Sequence, residues 1–370
     1  MIKKIKIISL GALITVIFGF TTGCSNRALA ISANDRHTLF LDSGGNIWTW
    51  GRSYLVGQGE AGWGDISRPK VLTEGRDNIG LPIFSAISAG NHHSIALDRN
   101  GNVWTWGQGG TGALGHGVRE PEYRPRRIEN VSGFTNIVAV AAGMGQSIAL
   151  DRNGRLWTWG TGLIGHGNES ESYEQRLRPR VITIGHDADS VLPAFVLICE
   201  RGAILDEEGR FWGLGSWGSI FRPFLLEFTN VDGAETPRFT ASSGGLALDI
   251  NRRLWSYGSL IDSTLTFRTI NSFSGSHAAI DTNGNLWTWG NNQFGALGHG
   301  DSDWSNNNLR QLAELNNIVA VSVGNSFMLA IDRQNRIWSW GNNLNGQLGH
   351  EERSLDCELR LRPRILVLGE

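Results

Sequence analysis

The stretch that decides the fold is Asn102-Val103-Trp104-Thr105-Trp106-Gly107, because variants of it recur along the 370-residue chain. Counted from the first Trp of each variant, successive copies are 56, 53, 55, 43, 32 and 51 residues apart. These first Trp residues are Trp48, Trp104, Trp157, Trp212, Trp255, Trp287 and Trp338. A regular internal repeat of this kind is typical of propellers, solenoids and arrays. The sequence therefore predicts seven copies of one structural unit.

Each copy contains a predicted β-hairpin that ends in the Trp strand. In the second copy an apolar run, residues 94–98, leads through the turn Asn100-Gly101 into that strand. Asn and Gly tolerate the positive φ of a tight turn between antiparallel strands, and the Asp that ends the run can cap it. Alternate side chains share one face of a strand, so Trp104 and Trp106 point the same way.

Three more parts complete each copy and define the fold class. After the Trp strand come a Gly-rich loop such as residues 113–117, a strand marked by a Pro such as Pro125, and a strand of small residues such as 137–143. Four short strands per copy, in a chain with 49 Gly and only 3 Met, favour an all-β fold. We therefore expect residues 31–370 to form a seven-bladed β-propeller of four-stranded antiparallel blades, with the ring closed by the N-terminal strand completing the last blade. The blade count is weakest at the shortest copies, those of Trp212 and Trp255.

Residues 1–23 are predicted to be an export signal. Three Lys precede an uncharged apolar run over residues 7–20, and a Gly-Cys pair ending at Cys24 follows. This order is typical of a bacterial signal peptide, and the run is short for a membrane span. The Gly-Cys ending resembles a lipoprotein signal, with lipidation of Cys24 and a short tether over residues 24–30. Cleavage after Ala30 is the alternative, so we expect a lipid-anchored protein on the outer side of a membrane, or a secreted one.

The net charge argues against a nucleic-acid partner. The chain has a formal net charge of −2, and removal of residues 1–23, which contain three Lys and no acidic residue, changes it to −5. Proteins that bind nucleic acids usually carry a basic patch and a high isoelectric point. The sequence therefore predicts no nucleic-acid partner.

Several motifs recur in a fixed order along the chain. They are Gly-x-x-His-Ser-x-Ala-Leu-Asp at 90–98, Trp-Thr-Trp-Gly at 104–107, Leu-Gly-His-Gly at 114–117 and Arg-Pro-Arg at 124–126. Together they resemble the regulator of chromosome condensation repeat, and the resemblance covers residues 31–370. It implies a seven-bladed propeller. It implies no single activity, because one fold hosts many functions.

The family suggests three kinds of function. Its founding member is a guanine-nucleotide exchange factor that binds chromatin, but this chain shows no extra hairpin in its third copy that could act as an exchange wedge. A plant relative senses ultraviolet light through Trp residues at positions occupied here by Asn91, Met144 and Asn325. A third kind of relative, a secreted bacterial β-lactamase inhibitor, matches this chain in fold and in predicted compartment.

Motifs that suggest chemistry are explained by the repeat. Residues 107–112 and 160–165 match a dinucleotide-binding fingerprint, but no predicted helix follows to bind phosphate. Most of the nine His occupy repeat positions on different blades, where they cannot converge on one metal ion. Asp301 and Asp303 resemble the start of a calcium loop, yet Leu312 stands where such a loop has Glu. The sequence therefore predicts no catalytic, cofactor or metal site.

Aromatic residues outside the repeat motif form a predicted partner-binding rim. Trp63 and Trp304 each lie four residues after a loop Gly, and Tyr123 and Tyr173 each lie six after one. Equal positions in the repeat place such residues on the same face of a propeller, where Trp217 is a fifth candidate. Exposed Trp and Tyr commonly anchor interfaces.

The sequence thus predicts a monomeric, non-enzymatic protein-binding propeller that presents the loops of one face to a protein or cell-wall partner. The alternative is a secreted inhibitor of an extracellular enzyme such as a β-lactamase. A nucleotide-exchange factor and an enzyme with a loop-built site are less favoured.

Overall fold

The structure, a computed structural model, contains seven four-stranded antiparallel sheets in a ring and confirms the predicted all-β propeller. It describes residues 30–59, 64–162, 164–166, 173–183, 192–198, 203–217, 220–225, 237–262, 264–351 and 361–368. The predicted export signal and Cys24 lie outside the described residues. Each sheet, called a blade below, consists of four strands that are consecutive in sequence.

Blades 1 to 4 contain strands β1 to β16. The strands of blade 1 are β1 (Ala30–Ala33), β2 (His37–Leu41), β3 (Ile47–Arg52) and β4 (Asp65–Val71). Those of blade 2 are β5 (Phe84–Ala89), β6 (His93–Asp98), β7 (Val103–Gly107) and β8 (Glu122–Arg127). Those of blade 3 are β9 (Ile137–Ala142), β10 (Gln146–Asp151), β11 (Leu156–Gly160) and β12 (Arg180–Val181). Those of blade 4 are β13 (Phe195–Ile198), β14 (Ala203–Asp206), β15 (Phe211–Trp217) and β16 (Ile220–Leu225).

Blades 5 to 7 contain strands β17 to β28. The strands of blade 5 are β17 (Phe239–Ser243), β18 (Leu246–Asp249), β19 (Leu254–Ser256) and β20 (Ser259–Asp262). Those of blade 6 are β21 (Phe267–Phe273), β22 (Ser276–Asp281), β23 (Leu286–Asn291) and β24 (Ser305–Gln311). Those of blade 7 are β25 (Ile318–Gly324), β26 (Phe327–Asp332), β27 (Ile337–Gly341) and β28 (Arg364–Leu366). Blades 4 and 5, built from the shortest copies, therefore each have four strands.

The helices of the described chain are short 3-10 turns. They are Ser53–Leu55, Arg76–Asn78, Tyr173–Leu177 and Gln293–Gly295. None of the helices in the described ranges is long and apolar enough to cross a membrane.

Ring closure differs from the prediction in one respect. The N-terminal strand β1 pairs with β2 inside blade 1, and blade 7 obtains all four strands from its own segment. The innermost strand precedes the hairpin in every blade, so the described strands start and stop at a blade boundary and none of them is exchanged. Blades 1 and 7 instead meet side by side: the Ala33 N–H donates to Ser322 Oγ (2.9 Å), and the Asn325 N–H donates to Asn34 O (2.9 Å).

An Asp, buried in blades 2 to 7, joins the turn to the Trp strand in every blade. In blade 2, Asp98 Oδ1 accepts the backbone N–H groups of Asn100 and Asn102, both at 2.9 Å. Its Oδ2 accepts the indole N–H of Trp104 at 3.1 Å. The same Asp–Trp bond, spanning six residues, occurs in all seven blades at 2.8 to 3.1 Å. It satisfies polar groups whose burial would otherwise be costly.

The second Trp of the motif joins neighbouring blades. Trp159 of blade 3 is fully buried, and its Nε1 donates to Ala113 O in the Gly-rich loop of blade 2 (2.7 Å). Trp50 of blade 1 is equally buried and donates to Gln347 O in the corresponding loop of blade 7 (2.7 Å). This last bond joins the two ends of the ring.

Replacing Asp98 by Asn tests the Asp–Trp bond. Both oxygens of Asp98 accept hydrogen bonds from N–H donors. In Asn one of these oxygens is replaced by an NH₂ group, which cannot accept them. We expect a loss of roughly 2 to 4 kcal/mol in the free energy of unfolding, since buried donors would stay unpaired. Chemical denaturation measures the change, and Asp303→Asn, a substitution at an exposed acid, is the control. Equal effects of the two substitutions would contradict the role assigned to the bond.

Paired Trp→Phe substitutions test the ring closure. Trp50 and Trp106 are both fully buried second Trp residues; the indole N–H of Trp50 has an acceptor, and that of Trp106 has none among the described residues. Both substitutions remove the same atoms from the core, so their difference isolates the bond to Gln347. We expect Trp50→Phe to be more destabilising than Trp106→Phe by about 1 kcal/mol. A thermal or urea unfolding series decides this, and a larger effect of Trp106→Phe would refute it.

Candidate binding face

The His of the Leu-Gly-His motif belongs to the architecture. His116 Nε2 lies 3.0 Å from Thr105 Oγ1, and the Thr105 hydroxyl donates to Leu114 O at 2.6 Å. The hydroxyl therefore accepts the imidazole N–H, which fastens the Gly-rich loop to the Trp strand. Burial, followed by nearby Arg side chains, lowers the pKa of His116 to about 3. Equivalent pairs are His166–Thr158, His299–Thr288 and His350–Ser339.

Two other histidines connect one blade to the next. His37 Nε2 lies 2.8 Å from Ser94 Oγ, and His93 Nε2 lies 2.8 Å from Ser147 Oγ. Each Ser hydroxyl donates to a carbonyl of a neighbouring loop, so each imidazole donates its Nε2–H. Both imidazoles are completely buried, and burial lowers the pKa of each to about 3. They are neutral structural groups at physiological pH.

The other sequence motifs that suggested chemistry also have structural roles. The Gly-rich segment that follows β7 leads into turns, and no helix able to bind phosphate begins at the described part of this segment or of the one that follows β11. Within the described ranges, no group of three or more His, Cys, Asp or Glu could hold a metal ion.

Four of the five aromatic residues predicted as a rim are described by the structure, and they lie in different settings. Tyr123 is in the outer strand β8, Tyr173 begins a 3-10 helix and Trp217 ends β15. Trp63 lies outside the described residues. Trp304 precedes β24 and exposes 83% of its surface. Tyr123 and Trp304 line two different grooves, so the shared rim stays a prediction.

The groove that contains Tyr123 is charged and lies beside blades 1 and 2. Its volume is about 490 Å³. The buried Glu122 carboxylate accepts hydrogen bonds from Arg76 and from Arg126, the latter at 2.7 Å. Arg124 pairs with Glu74 at 2.6 Å. These guanidinium groups already have anionic partners, which weakens this groove as an anion-binding site.

The groove that contains Trp304 lies between blades 5 and 6 and has a volume of about 600 Å³. Blade 5 connects β19 to β20 through only Tyr257 and Gly258, whereas blade 2 has residues 108–121 at this point. In blade 3 the second Trp packs against the loop of the preceding blade. Blade 5 has no such loop, so the corresponding Trp of blade 6, Trp289, lines an open groove.

The main chain that carries Trp304 is fixed by a buried amide. The Asn292 N–H donates to Trp304 O (3.1 Å), and Asn292 Nδ2 donates to Asp301 Oδ1 (2.7 Å). Asn292 is only 1% exposed, and Asp301 is also paired with Arg310 at 3.1 Å. The indole is therefore presented to solvent from a loop whose main chain is held in place before any partner binds. Such preorganisation lowers the entropic cost of binding.

Sequence reasoning singled out Trp304 but missed the groove beside it. The signal was the gap of 32 residues between Trp255 and Trp287, which removes the loop from blade 5. A missing loop leaves a groove in the place that the loop would fill, and the residues that line it come partly from the neighbouring blade. The groove residues not predicted include Trp289, His277, Asn291, Gln293 and Asn307.

Two family models match the chain, and both describe the Regulator of chromosome condensation (RCC1) repeat. One matches residues 100–150 and 283–331. The other matches residues 29–58, 84–113 and 318–347. The matched segments fall in blades 1, 2, 3, 6 and 7, where the repeat motifs are most regular.

Similar proteins include parts of much larger chains. Over 323 residues the chain is 29% identical to human E3 ubiquitin-protein ligase HERC2, covering 84% of this chain and 6% of HERC2. Over 379 residues it is 26% identical to the Ultraviolet-B receptor UVR8 of Arabidopsis thaliana, covering 89% of this chain and 80% of UVR8. The chain thus spans only a small fraction of HERC2.

Solved structures share the fold. A crystal structure of Kap60 bound to yeast RCC1 (Prp20) matches with a TM-score of 0.53 and 16% identity, over 92% of this chain and 75% of that one. The structure of human WBSCR16 matches with a TM-score of 0.52 and 17% identity, over 93% and 83% respectively. At such identities the likeness establishes the architecture alone.

The buried histidines predict acid sensitivity. His93 has a pKa of about 3 when folded and about 6.5 when unfolded, so the unfolded chain binds more protons between these values. Its stabilising effect is complete above pH 6.5 and is lost as the pH falls toward 3, with a slope of up to about 1.4 kcal/mol per pH unit.

His93→Gln removes this proton uptake and copies the residue that blade 3 has at the same position, Gln146. We expect the melting temperature of His93→Gln to fall less between pH 7 and pH 4 than that of the parent chain. His92→Gln, a substitution at the exposed neighbour, is the matched control. An identical pH dependence for His93→Gln and the parent would contradict the assignment.

Proposed function

This chain belongs to the regulator of chromosome condensation (RCC1) repeat family, and from that premise we propose that it is a non-enzymatic binding protein. In this proposal the loops of one propeller face contact a protein or cell-wall partner. The N-terminal sequence supports a location outside the cytoplasmic membrane, with residues 1–23 as the export signal and lipid on Cys24 as the anchor. Cleavage after Ala30 would release the same propeller as a secreted protein.

The observation that carries the proposal is the exposure of Trp304. Twelve of the 15 Trp belong to the repeat motif, where hydrogen bonds and packing between blades account for them. Trp304 lies outside the motif and is 83% exposed on a loop fixed through Asn292. A Trp in water forgoes a large gain from apolar burial, and exposed Trp is strongly enriched at the energetic centres of interfaces.

The bonding of the repeat histidines supports a binding role over a catalytic one. A general acid or base works best with a pKa near the operating pH. Burial holds the pKa of His37 and His93 near 3, and both imidazoles donate to Ser hydroxyls within the ring. These groups are therefore poorly suited to proton transfer at neutral pH.

The partner can belong to more than one class. Yeast RCC1 (Prp20), which shares the fold, has been crystallised with Kap60 bound, and this is a precedent for protein binding by a protein of this architecture. Inhibition of an extracellular enzyme such as a β-lactamase is the alternative use of the same face. If the chain is an inhibitor, its partner is an enzyme whose turnover falls when the chain binds. If it is a nucleotide-exchange factor, its partner is a GTPase.

Trp304→Ala tests the binding face directly. The parent chain and the variant are expressed in the source cells with an affinity tag, crosslinked on intact cells and recovered, and the bound partners are identified. We expect Trp304→Ala to lose or strongly reduce the recovered partner, because an anchor Trp typically contributes about 2 kcal/mol or more. Ile79→Ala, which alters another exposed apolar side chain, is the matched control. Full recovery of every partner by Trp304→Ala and by a Trp63→Ala/Trp304→Ala double variant would refute the proposal.

A further inference from the structure

Two indole rings line the groove between blades 5 and 6. Trp289 is 5% exposed and packs against His277, with ring centroids 5.3 Å apart and an interplanar angle of 32°. Trp304 is 83% exposed. Gly275 and Gly290 also line the groove and add no side chains to it. A flat ligand ring can therefore approach the wall closely while a second ring contacts Trp304.

The polar lining of this groove is uncharged. It consists of amide and hydroxyl groups, namely those of Asn291, Gln293, Asn307, Ser256 and Ser305. Among the described residues no Asp, Glu, Lys or Arg side chain lines it. An amide offers two N–H donors and an acceptor, and a hydroxyl offers one donor and two acceptor lone pairs. Such a lining matches a neutral ligand that is rich in hydroxyl groups, and it offers no counter-charge to an ionised one.

Two of the polar groups are held in place by the protein. Asn291 Oδ1 accepts the backbone N–H of Gln293 at 2.9 Å, which leaves the NH₂ of this amide to donate. His277 Nδ1 lies 2.7 Å from Ser272 Oγ, so Nε2 is the ring nitrogen left for the groove. Burial lowers the pKa of His277 to about 4, and the ring is neutral at pH 7. The groove thus presents fixed, neutral donors and acceptors beside aromatic faces.

A pyranose ring has the complementary chemistry. One of its faces is rich in C–H groups that stack on an indole, and its edge carries hydroxyl groups that both donate and accept hydrogen bonds. The volume of about 600 Å³ lies within the range of roughly 300 to 1,000 Å³ that is usual for small-molecule sites. A peptide ligand would be expected to use charged or aliphatic contacts, and Ile261 is the one aliphatic side chain among the described lining residues.

We infer that the groove between blades 5 and 6 binds an uncharged oligosaccharide, with one sugar ring against the exposed indole of Trp304 and the neighbouring ring along the glycine-lined wall beside Trp289. The inference names the class of partner for the proposed binding face and so rests on the proposed function. It assigns specificity to the shortened blade 5, because a loop there would fill the groove, as the Gly-rich loop of blade 2 fills the equivalent place beside Trp159 of blade 3.

Calorimetric and ligand-observed NMR titrations of the purified chain test the inference. The probes are two neutral trisaccharides, triacetylchitotriose and cellotriose, and an acidic one, trigalacturonate. We expect at least one neutral trisaccharide to bind at millimolar concentration or below, and trigalacturonate to bind more weakly. Trp304→Ala and Asn307→Ala alter exposed side chains, so both variants should fold, and each should weaken binding by about tenfold, which corresponds to about 1.4 kcal/mol.

Tyr123→Ala, a substitution in the other groove, is the matched control and should leave the affinity unchanged. The inference is overturned if neither neutral trisaccharide binds at millimolar concentration, if trigalacturonate binds best, or if Trp304→Ala binds as tightly as the parent. If a partner is captured on cells in a Trp304-dependent way but no trisaccharide binds, the glycan assignment is refuted and the proposed binding function is retained. If neither Trp304-dependent capture of a partner on cells nor trisaccharide binding is observed, both the glycan assignment and the proposed binding function are refuted.

Discussion

The whole propeller depends on the hydrogen bond from the first Trp of each Trp strand to the Asp six residues earlier. The carboxylate of Asp98 holds the turn through two backbone N–H groups and holds Trp104 through its indole. With the first Trp fixed, the strand has one orientation, and the second Trp two residues later lies on the same face. That placement lets Trp50 and Trp159 reach the loops of the neighbouring blades. One local bond thus sets both the shape of each blade and its contact with the next.

Because the repeat residues are used in bonds within and between blades, the residues that hold the propeller together are separate from those available to bind a partner. The repeat Asp residues accept the indole N–H of the first Trp, and the repeat His residues are hydrogen-bonded to hydroxyls inside the ring. The proposed binding groove lies where the repeat is broken. Blade 5 has lost its Gly-rich loop, and blade 6 has His277 at the position where blades 2 and 3 have Ser94 and Ser147. Both departures occur at the same groove, next to a Trp that the repeat does not require.

The sequence predicted the blades well because their determinants are local. Turn residues, the Asp and the Trp strand lie within about a dozen residues of each other, so their spacing was sufficient to count seven blades, including the short ones. Ring closure depends instead on which strand is innermost, a property of contacts between distant segments such as Ala33 and Ser322. The rim was equally hard to judge. Tyr123 was grouped with Trp304 as a loop residue, yet the former is half-buried in a strand and the latter projects from a loop.

The absence of strand exchange gives each blade a clear boundary in the chain. A complete blade is one uninterrupted segment, so duplicating or deleting such a segment adds or removes a whole blade without leaving an unpaired strand. The only penalty falls on the side-by-side contacts between neighbours, which have much the same chemistry at most seams. Blade 5 shows that the segment of one blade can also lose a loop while this blade and its neighbours keep four strands each. The architecture therefore lets variation enter one blade at a time, and a new surface can arise in one blade while the others continue to hold the ring closed.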